Sequence, residues 1–212
     1  MKYKCIIFDC DGILVDSEGI SDAVLIEMAK EVGVQIDINY IKHHFAGRSL
    51  KYIFKCIEEQ IEGELPNDFE QDYRTRTFNR FKTDLQPIEG IHNLLNQINI
   101  PICVASSGPP NKIELNLTTT KLLDQFKGCI YSSYDIGVWK PNPDIFEHAA
   151  KEMGFKPEEC TVIEDSLAGV KAGVAGGFDV FALAHDGNEK VLREAGATVF
   201  SHMDELLSLL ER

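Results

Sequence analysis

The stretch Tyr3-Lys4-Cys5-Ile6-Ile7-Phe8-Asp9-Cys10-Asp11-Gly12 decides the fold. A short apolar run rich in β-branched residues reads as a strand buried on both faces, where no polar alternation is needed. It ends abruptly on two acidic residues and a glycine. Gly12 lets the backbone turn sharply, so that Asp9 faces the strand end while Asp11 folds back over it.

Working outward, residues 100–105, 129–132, 161–163 and 179–182 are further runs of this kind, and 197–200 adds another. Helical patterns lie between them. Asn142 is a good N-cap with Pro143 at the first helical position; Ile145, Phe146, Ala149, Ala150 and Met153 then recur at helical spacing until Gly154. Ser166 caps a segment carrying Leu167, Val170 and Val174, ended by Gly176 and Gly177. Strand and helix in alternation predict an α/β fold, a Rossmann-like doubly wound parallel sheet.

Residues 17–83 break that alternation and read as helices only: 22–32, 38–45, 50–61 and 67–81. Val24, Leu25, Met28 and Val32 lie on one helical face. The expected organisation is therefore a sheet core of residues 1–16 and 84–212, with an all-helical cap of residues 17–83. An insertion directly after the first strand would sit above the carboxyl ends of the sheet, where such folds bind ligands.

The 212 residues suffice for a sizeable core, and 44% are apolar. A net charge of −13 argues against nucleic acid or an anionic membrane as partner, although a local site can still hold an anion. Cys5, Cys10, Cys56, Cys103, Cys129 and Cys160 form no CxxC pair and are expected to be reduced thiols packed as small hydrophobes. No apolar stretch approaches a membrane span, and the N-terminal run reaches acidic residues too soon for a signal peptide. A cytoplasmic protein is expected; the residues leave the oligomeric state open and are compatible with a monomer.

Four strand ends carry the chemistry. Asp9 and Asp11 close the first. Glu164 and Asp165 close the run 161–163, just before the helix capped by Ser166. Carboxylates gathered within about 4 Å repel by about 4 kcal/mol at an effective dielectric near 20, so such a group needs a cation. Oxygen ligands alone call for Mg²⁺ rather than zinc. Ser106, Ser107 and Gly108 put hydroxyls and backbone N–H groups where a phosphate can sit. Lys140, between Trp139 and Pro141, precedes the next capped helix and is expected to be held in place.

Asp9-Cys10-Asp11-Gly12, Ser106, Lys140 and Glu164-Asp165 resemble, in order and context, the four motifs of the haloacid dehalogenase superfamily. The placement of the helical insertion resembles that superfamily's phosphoglucomutase-like subgroup. Within it, residues 104–113 and 135–146 resemble bacterial phosphatases that act on a phosphorylated sugar acid. The resemblance implies a Mg²⁺-dependent phosphatase for a small phosphorylated metabolite, a sugar or sugar acid. It also implies the roles. Asp9 becomes the aspartyl-phosphate, and Asp11 protonates the leaving alcohol and later activates water. Ser106, Ser107 and Lys140 hold phosphoryl oxygens. The metal lies among Asp9, Asp11, Glu164 and Asp165, with Asp11 offering its backbone carbonyl.

One departure stands out: Ile13 follows the motif glycine where the family usually has threonine. Outside the core motifs, relatives use a hydroxyl at the place of Ser17 and an arginine at the place of Arg48, in Gly47-Arg48-Ser49, to reach substrate. His43 and His44 read as helix-end residues, Trp139 as packing beside Lys140, and residues 58–64 as a solvated acidic face. A sugar phosphomutase is the alternative enzyme. The mutases of the subgroup carry a histidine ten positions after the second aspartate, and here that position is Ser21. The non-enzyme alternative is a binding protein that has lost the chemistry, for which Ile13 is the one support. The second aspartate, Asp11, disfavours a dehalogenase.

Overall fold

The computed structural model describes residues 2–45, 48–185 and 187–211. The chain divides into two units, residues 1–16 with 86–212 and residues 17–85. In chain order, β1 (Cys5–Phe8) and β2 (Val15–Asp16) precede four helices: α1 (Glu18–Glu31), α2 (Ile38–His44), α3 (Leu50–Glu58) and α4 (Phe69–Asp84). The first unit then resumes with β3 (Gln86–Pro87), α5 (Ile91–Gln97), β4 (Ile102–Ser106), α6 (Pro110–Thr119), β5 (Ile130–Ser132), α7 (Ser133–Ile136) and α8 (Asp144–Glu152). It ends with β6 (Cys160–Glu164), α9 (Leu167–Ala175), β7 (Asp179–Leu183), α10 (Glu189–Glu194), β8 (Thr198–Phe200) and α11 (Met203–Leu210).

The apolar runs form one six-stranded sheet in the order β5-β4-β1-β6-β7-β8, every neighbouring pair parallel. The chain builds outward from β1 through β4 to β5, then crosses back to lay β6, β7 and β8 on the other side. The direction therefore reverses between β1 and β6, and ligands bind at the carboxyl ends of such a switch point. Register fixes what meets there. Phe8 is level with Ile163, so Asp9 and Glu164 leave adjacent strands together. Phe8 is also level with Val104, which brings the Ser106 end of β4 to the same edge.

Strand β1 is buried throughout, and Ile7, Cys103, Val162, Val180, Phe146 and Val170 share one core with α8 and α9. The six cysteines are free thiols. Burying each large apolar side chain contributes about 1.5–3 kcal/mol, which makes this core the anchor for the loops above it. The capping of α8 differs from expectation by one residue. Its N-cap is Pro143 and no side chain caps it, whereas Asn142 donates its N–H to the Trp139 carbonyl at 3.1 Å in a turn. The turn that carries Lys140 takes up Asn142 before the helix begins.

In the other unit α1 and α4 are neighbours, and Leu25, Met28, Ile53, Phe54, Ile57, Phe69 and Tyr73 form its core. Helix α1 starts four residues earlier than the reading 22–32, at Glu18, and α4 runs to Asp84. The chain leaves and re-enters the sheet unit through the antiparallel pair β2 and β3, with Asp16 level with Gln86. Two residues per strand are too few to leave a periodic signal. Among the described residues no helix is long and apolar enough to cross a membrane.

Candidate active site

The first loop is closed by its own backbone. Asp9 N–H donates to the Ile163 carbonyl at 2.9 Å, which ties the end of β1 to β6. Gly12 N–H donates to the Val15 carbonyl at 2.9 Å, and Leu14 and Val15 donate to the Cys10 carbonyl at 2.9 and 3.1 Å. Gly12 takes φ +78°, a conformation side chains disfavour. Ile13 is fully buried, so an apolar residue here packs inward and the turn is held without a hydroxyl at that position.

Lys140 is the hub. Its Nζ donates to Asp9 Oδ1 and to Glu164 Oε1, both at 2.7 Å, and its side chain is only 6% exposed. Its ammonium also lies 4.7 Å from the centre of the Phe146 ring. Burial works against that charge, but Asp9 and Glu164 outweigh it and raise the lysine's pKa. Glu164 is completely buried; its Oε2 accepts the N–H groups of Asp165 and Ser166, each at 2.7 Å. Against the upward pull of burial, Lys140 and those N–H groups hold the Glu164 carboxyl below its usual range. Asp9 is pushed up to about 7, first by burial and then by the charges of Glu164 and Asp11, with Lys140 opposing.

Asp9, Glu164 and Asp165, all buried, offer carboxylate oxygens that lie within 4.8 Å of one another. One buried ammonium against three carboxylates leaves a negative excess, and an all-oxygen donor set suits a hard divalent cation. The backbone makes room for this group. A Cβ at Gly12 would stand 2.0 Å from Asp165 Oδ2, so the glycine is a cradle that any side chain would fill. The residues present thus fit a divalent metal.

Ser106 is buried, and its Oγ accepts the Gly108 N–H at 3.1 Å. The Gly108 carbonyl accepts from Ser132 Oγ at 2.6 Å, and Ser107 is half-buried beside it. Trp139 is half-exposed with its ring edge-on to Tyr134 at 5.3 Å, so it pairs with an aromatic neighbour rather than filling the core. Ser17 and Arg48 belong to the helical unit. Ser17 is buried at the N-terminus of α1 and its carbonyl accepts from Ser21 Oγ at 2.9 Å; Arg48 is exposed with its guanidinium 5.1 Å from the Tyr52 ring centre. Gly47 lies outside the described residues.

Four polar residues escaped the sequence reading. Lys112 Nζ donates to Asp11 Oδ2 at 2.7 Å, and Asn116 Nδ2 to Asp11 Oδ1 at 3.3 Å. Their spacing of four is a helix-face signal that could have found them, on a helix that opens with Pro110, a residue suited to a first turn. His185 Nε2–H donates to the Gly12 carbonyl at 3.2 Å, and Asn188 Nδ2 to the Asp165 carbonyl at 3.3 Å. Both follow β7 and stitch its loop to the two acidic loops.

A model of the haloacid dehalogenase-like hydrolases matches residues 3–177. The chain belongs to that family. It is 34% identical to the 6-phosphogluconate phosphatase of Escherichia coli, over 98% of this chain and 95% of that one. Among solved structures, a haloacid dehalogenase-like protein of Agrobacterium tumefaciens superposes with a TM-score of 0.89 at 31% identity, covering 99% and 98% of the two chains. A family hydrolase of Deinococcus radiodurans, solved with bound phosphate and sodium, gives 0.85 at 29% identity, covering 99% and 95%. This member of the family is a phosphatase.

Proposed function

We propose that this phosphatase hydrolyses a small phosphorylated sugar or sugar acid, with 6-phosphogluconate as the leading candidate, through an aspartyl-phosphate on Asp9. The observation that carries the reading is the buried bridge from Lys140 to Asp9 and Glu164, two residues from the more exposed Asp11. A carboxylate fixed by an ammonium, with its second oxygen not engaged by Lys140, is a competent nucleophile toward phosphorus. The 34% identity to the E. coli 6-phosphogluconate phosphatase supports the substrate class.

In the first half-reaction an Asp9 oxygen bonds to phosphorus as the ester P–O bond breaks, and Asp11 gives its proton to the leaving alkoxide. In the second, Asp11 takes a proton from water, the water oxygen bonds to phosphorus, and the Asp9–phosphorus bond breaks to release phosphate. Lys140 holds Asp9 and stands by the phosphoryl oxygens together with Ser106 and Ser107. Phosphoryl transfer asks mainly for such positioning and charge neutralisation. Asp9, Asp165 and the Asp11 carbonyl would hold Mg²⁺, with Glu164 alongside. Bound there, Mg²⁺ would neutralise charge on the phosphoryl oxygens. Residues 17–85 would serve as a cap, with Ser17 and Arg48 reading the leaving group.

The test is phosphate release with Mg²⁺ from a panel of phosphorylated sugars and sugar acids. 6-Phosphogluconate should rank among the best by kcat/KM. A ranking in which every sugar and sugar acid falls below p-nitrophenyl phosphate would remove the substrate proposal.

A further inference from the structure

Lys140 has an evident task, but the site contains a second lysine with a different one. Lys112 and Asn116 stand one helical turn apart on α6, and both point at the same carboxylate. Lys112 takes Asp11 Oδ2 and Asn116 takes Oδ1, so that each oxygen has its own donor. The two donors differ in setting. Asn116 is completely buried, whereas the Lys112 and Asp11 side chains keep 21% and 28% of their exposure. The clamp therefore holds Asp11 by both carboxylate oxygens while part of its side chain stays exposed.

We propose that Lys112 and Asn116 are positioning residues for the acid–base step, fixing the Asp11 carboxyl so that it meets the leaving oxygen. This rests on the role proposed for Asp11. Three features argue that the pair orients this group rather than binding the transferred phosphate. Asp9 and Glu164 are both engaged by Lys140, so the nucleophile is already secured. Asp11 sits in a turn, where the strand no longer dictates side-chain direction, so a donor on each oxygen supplies the constraint the backbone lacks. The clamp is also anchored in a regular element: α6 starts directly after the Ser106–Gly108 turn, and the Lys112 stem lies close by, its Cδ 3.6 Å from where a Gly108 Cβ would be. A general acid works only within hydrogen-bond reach and in the right orientation.

The expected signature depends on the leaving group. An alkyl alkoxide needs a proton as it departs, whereas p-nitrophenolate leaves without one. kcat/KM reports the steps up to that departure, so it isolates the acid function from later hydrolysis of the phospho-enzyme. Lys112→Met should lower kcat/KM about tenfold or more on ribose 5-phosphate and on 6-phosphogluconate, yet change it less than about threefold on p-nitrophenyl phosphate. Asn116→Ala should show the same pattern, Lys112→Arg should recover most of the loss, and Asp11→Asn should show the split in full.

Three results would overturn the inference. Equal losses on all three substrates would make Lys112 a phosphate-binding or purely structural residue. A loss confined to 6-phosphogluconate would make it a reader of the substrate's carboxylate. In both cases an intact Asp11→Asn split would leave the acid role of Asp11 standing. Absence of that split in Asp11→Asn itself would remove the acid role and the clamp with it.

Discussion

A Cβ added at Gly169 would lie 1.7 Å from Glu164 Oε1, so the helix that follows β6 is built around a carboxylate. Moving Glu164 aside would break its bonds, because Lys140 holds Oε1 and the N–H groups of Asp165 and Ser166 hold Oε2. Gly169 is itself fixed, its N–H donating to Ser166 Oγ at 3.0 Å as part of the cap of α9. Helix, cap and acidic loop are therefore one packed unit. Glycine in this helix, otherwise unfavourable by about 1 kcal/mol relative to alanine, is what lets them coexist.

Gly169→Ala should consequently destabilise the protein although alanine is the better helix former. Overpacking against a buried, fully bonded carboxylate should cost about 1–3 kcal/mol and displace Glu164 from Lys140. Thermal unfolding and phosphate release together check it. A variant as stable as the parent would mean that Glu164 is free to relocate.

Asp9→Asn should abolish turnover, and its effect on stability should depend on pH in a defined direction. In the metal-free protein the Asp9 carboxyl is raised from 3.8 to about 7, chiefly by burial. Between those values the folded state binds a proton that the unfolded state releases. Asp9 therefore contributes a loss of stability as pH rises through that window, constant above it. The nearly isosteric amide carries no charge to bury. Its advantage over the parent should be absent near pH 4 and grow to at most about 4 kcal/mol above pH 7. Denaturant unfolding of both chelated proteins at pH 5 and pH 8 measures this. An advantage that shrinks with pH would contradict the burial of Asp9.

Most of the sheet could be read from the sequence because its signal is local. Each of β1, β4, β5, β6, β7 and β8 is a short apolar run bounded by turn residues, and a strand buried on both faces leaves such a run. Asp9, Lys140 and Glu164 were legible as strand-end and loop residues; the parallel register of β1 and β6 sets Asp9 beside Glu164, and the loop before α8 brings Lys140 to both at 2.7 Å. What escaped depends on long-range geometry. Lys112 and Asp11 stand 101 positions apart and His185 and Gly12 stand 173 apart, so no spacing rule connects them. The β2–β3 pair failed for another reason, since two residues per strand show no period. Asn142 misled because a good capping residue next to proline also suits the turn that precedes a helix.

Chelation by EDTA should end activity and Mg²⁺ should restore it. Three buried carboxylates within 4.8 Å of one another, with one lysine among them, leave a negative excess that a divalent cation would balance. Ca²⁺ should bind without restoring turnover, because it accepts more oxygen ligands and can draw both Asp9 oxygens onto itself. Full activity in EDTA would refute the metal proposal. Chelation should also lower the melting temperature at pH 8 more than at pH 5, since protonation of Asp9 relieves the same repulsion.

In the proposed mechanism hydrolysis and transfer of phosphate between positions would share a phospho-Asp9 intermediate, and what attacks it next would separate them. A mutase must keep water inactive until a sugar hydroxyl arrives. The position at which mutases of the subgroup carry histidine is Ser21 here. Its hydroxyl donates to the Ser17 carbonyl at 2.9 Å, a side-chain bond to the helix backbone that occupies its proton. A serine has no group that titrates near neutral pH and cannot supply an imidazole's contacts. Water should therefore attack without any sugar acceptor, and inorganic phosphate should accumulate. The assay supplies β-glucose 1-phosphate with a trace of glucose 1,6-bisphosphate and follows glucose 6-phosphate and free phosphate together. Phosphate release should exceed isomerisation by at least about tenfold, a difference of about 1.4 kcal/mol between the two barriers. Isomerisation outpacing release would make the protein a mutase. If Ser21→His then raised the ratio of isomerisation to hydrolysis, this position would be shown to set that choice.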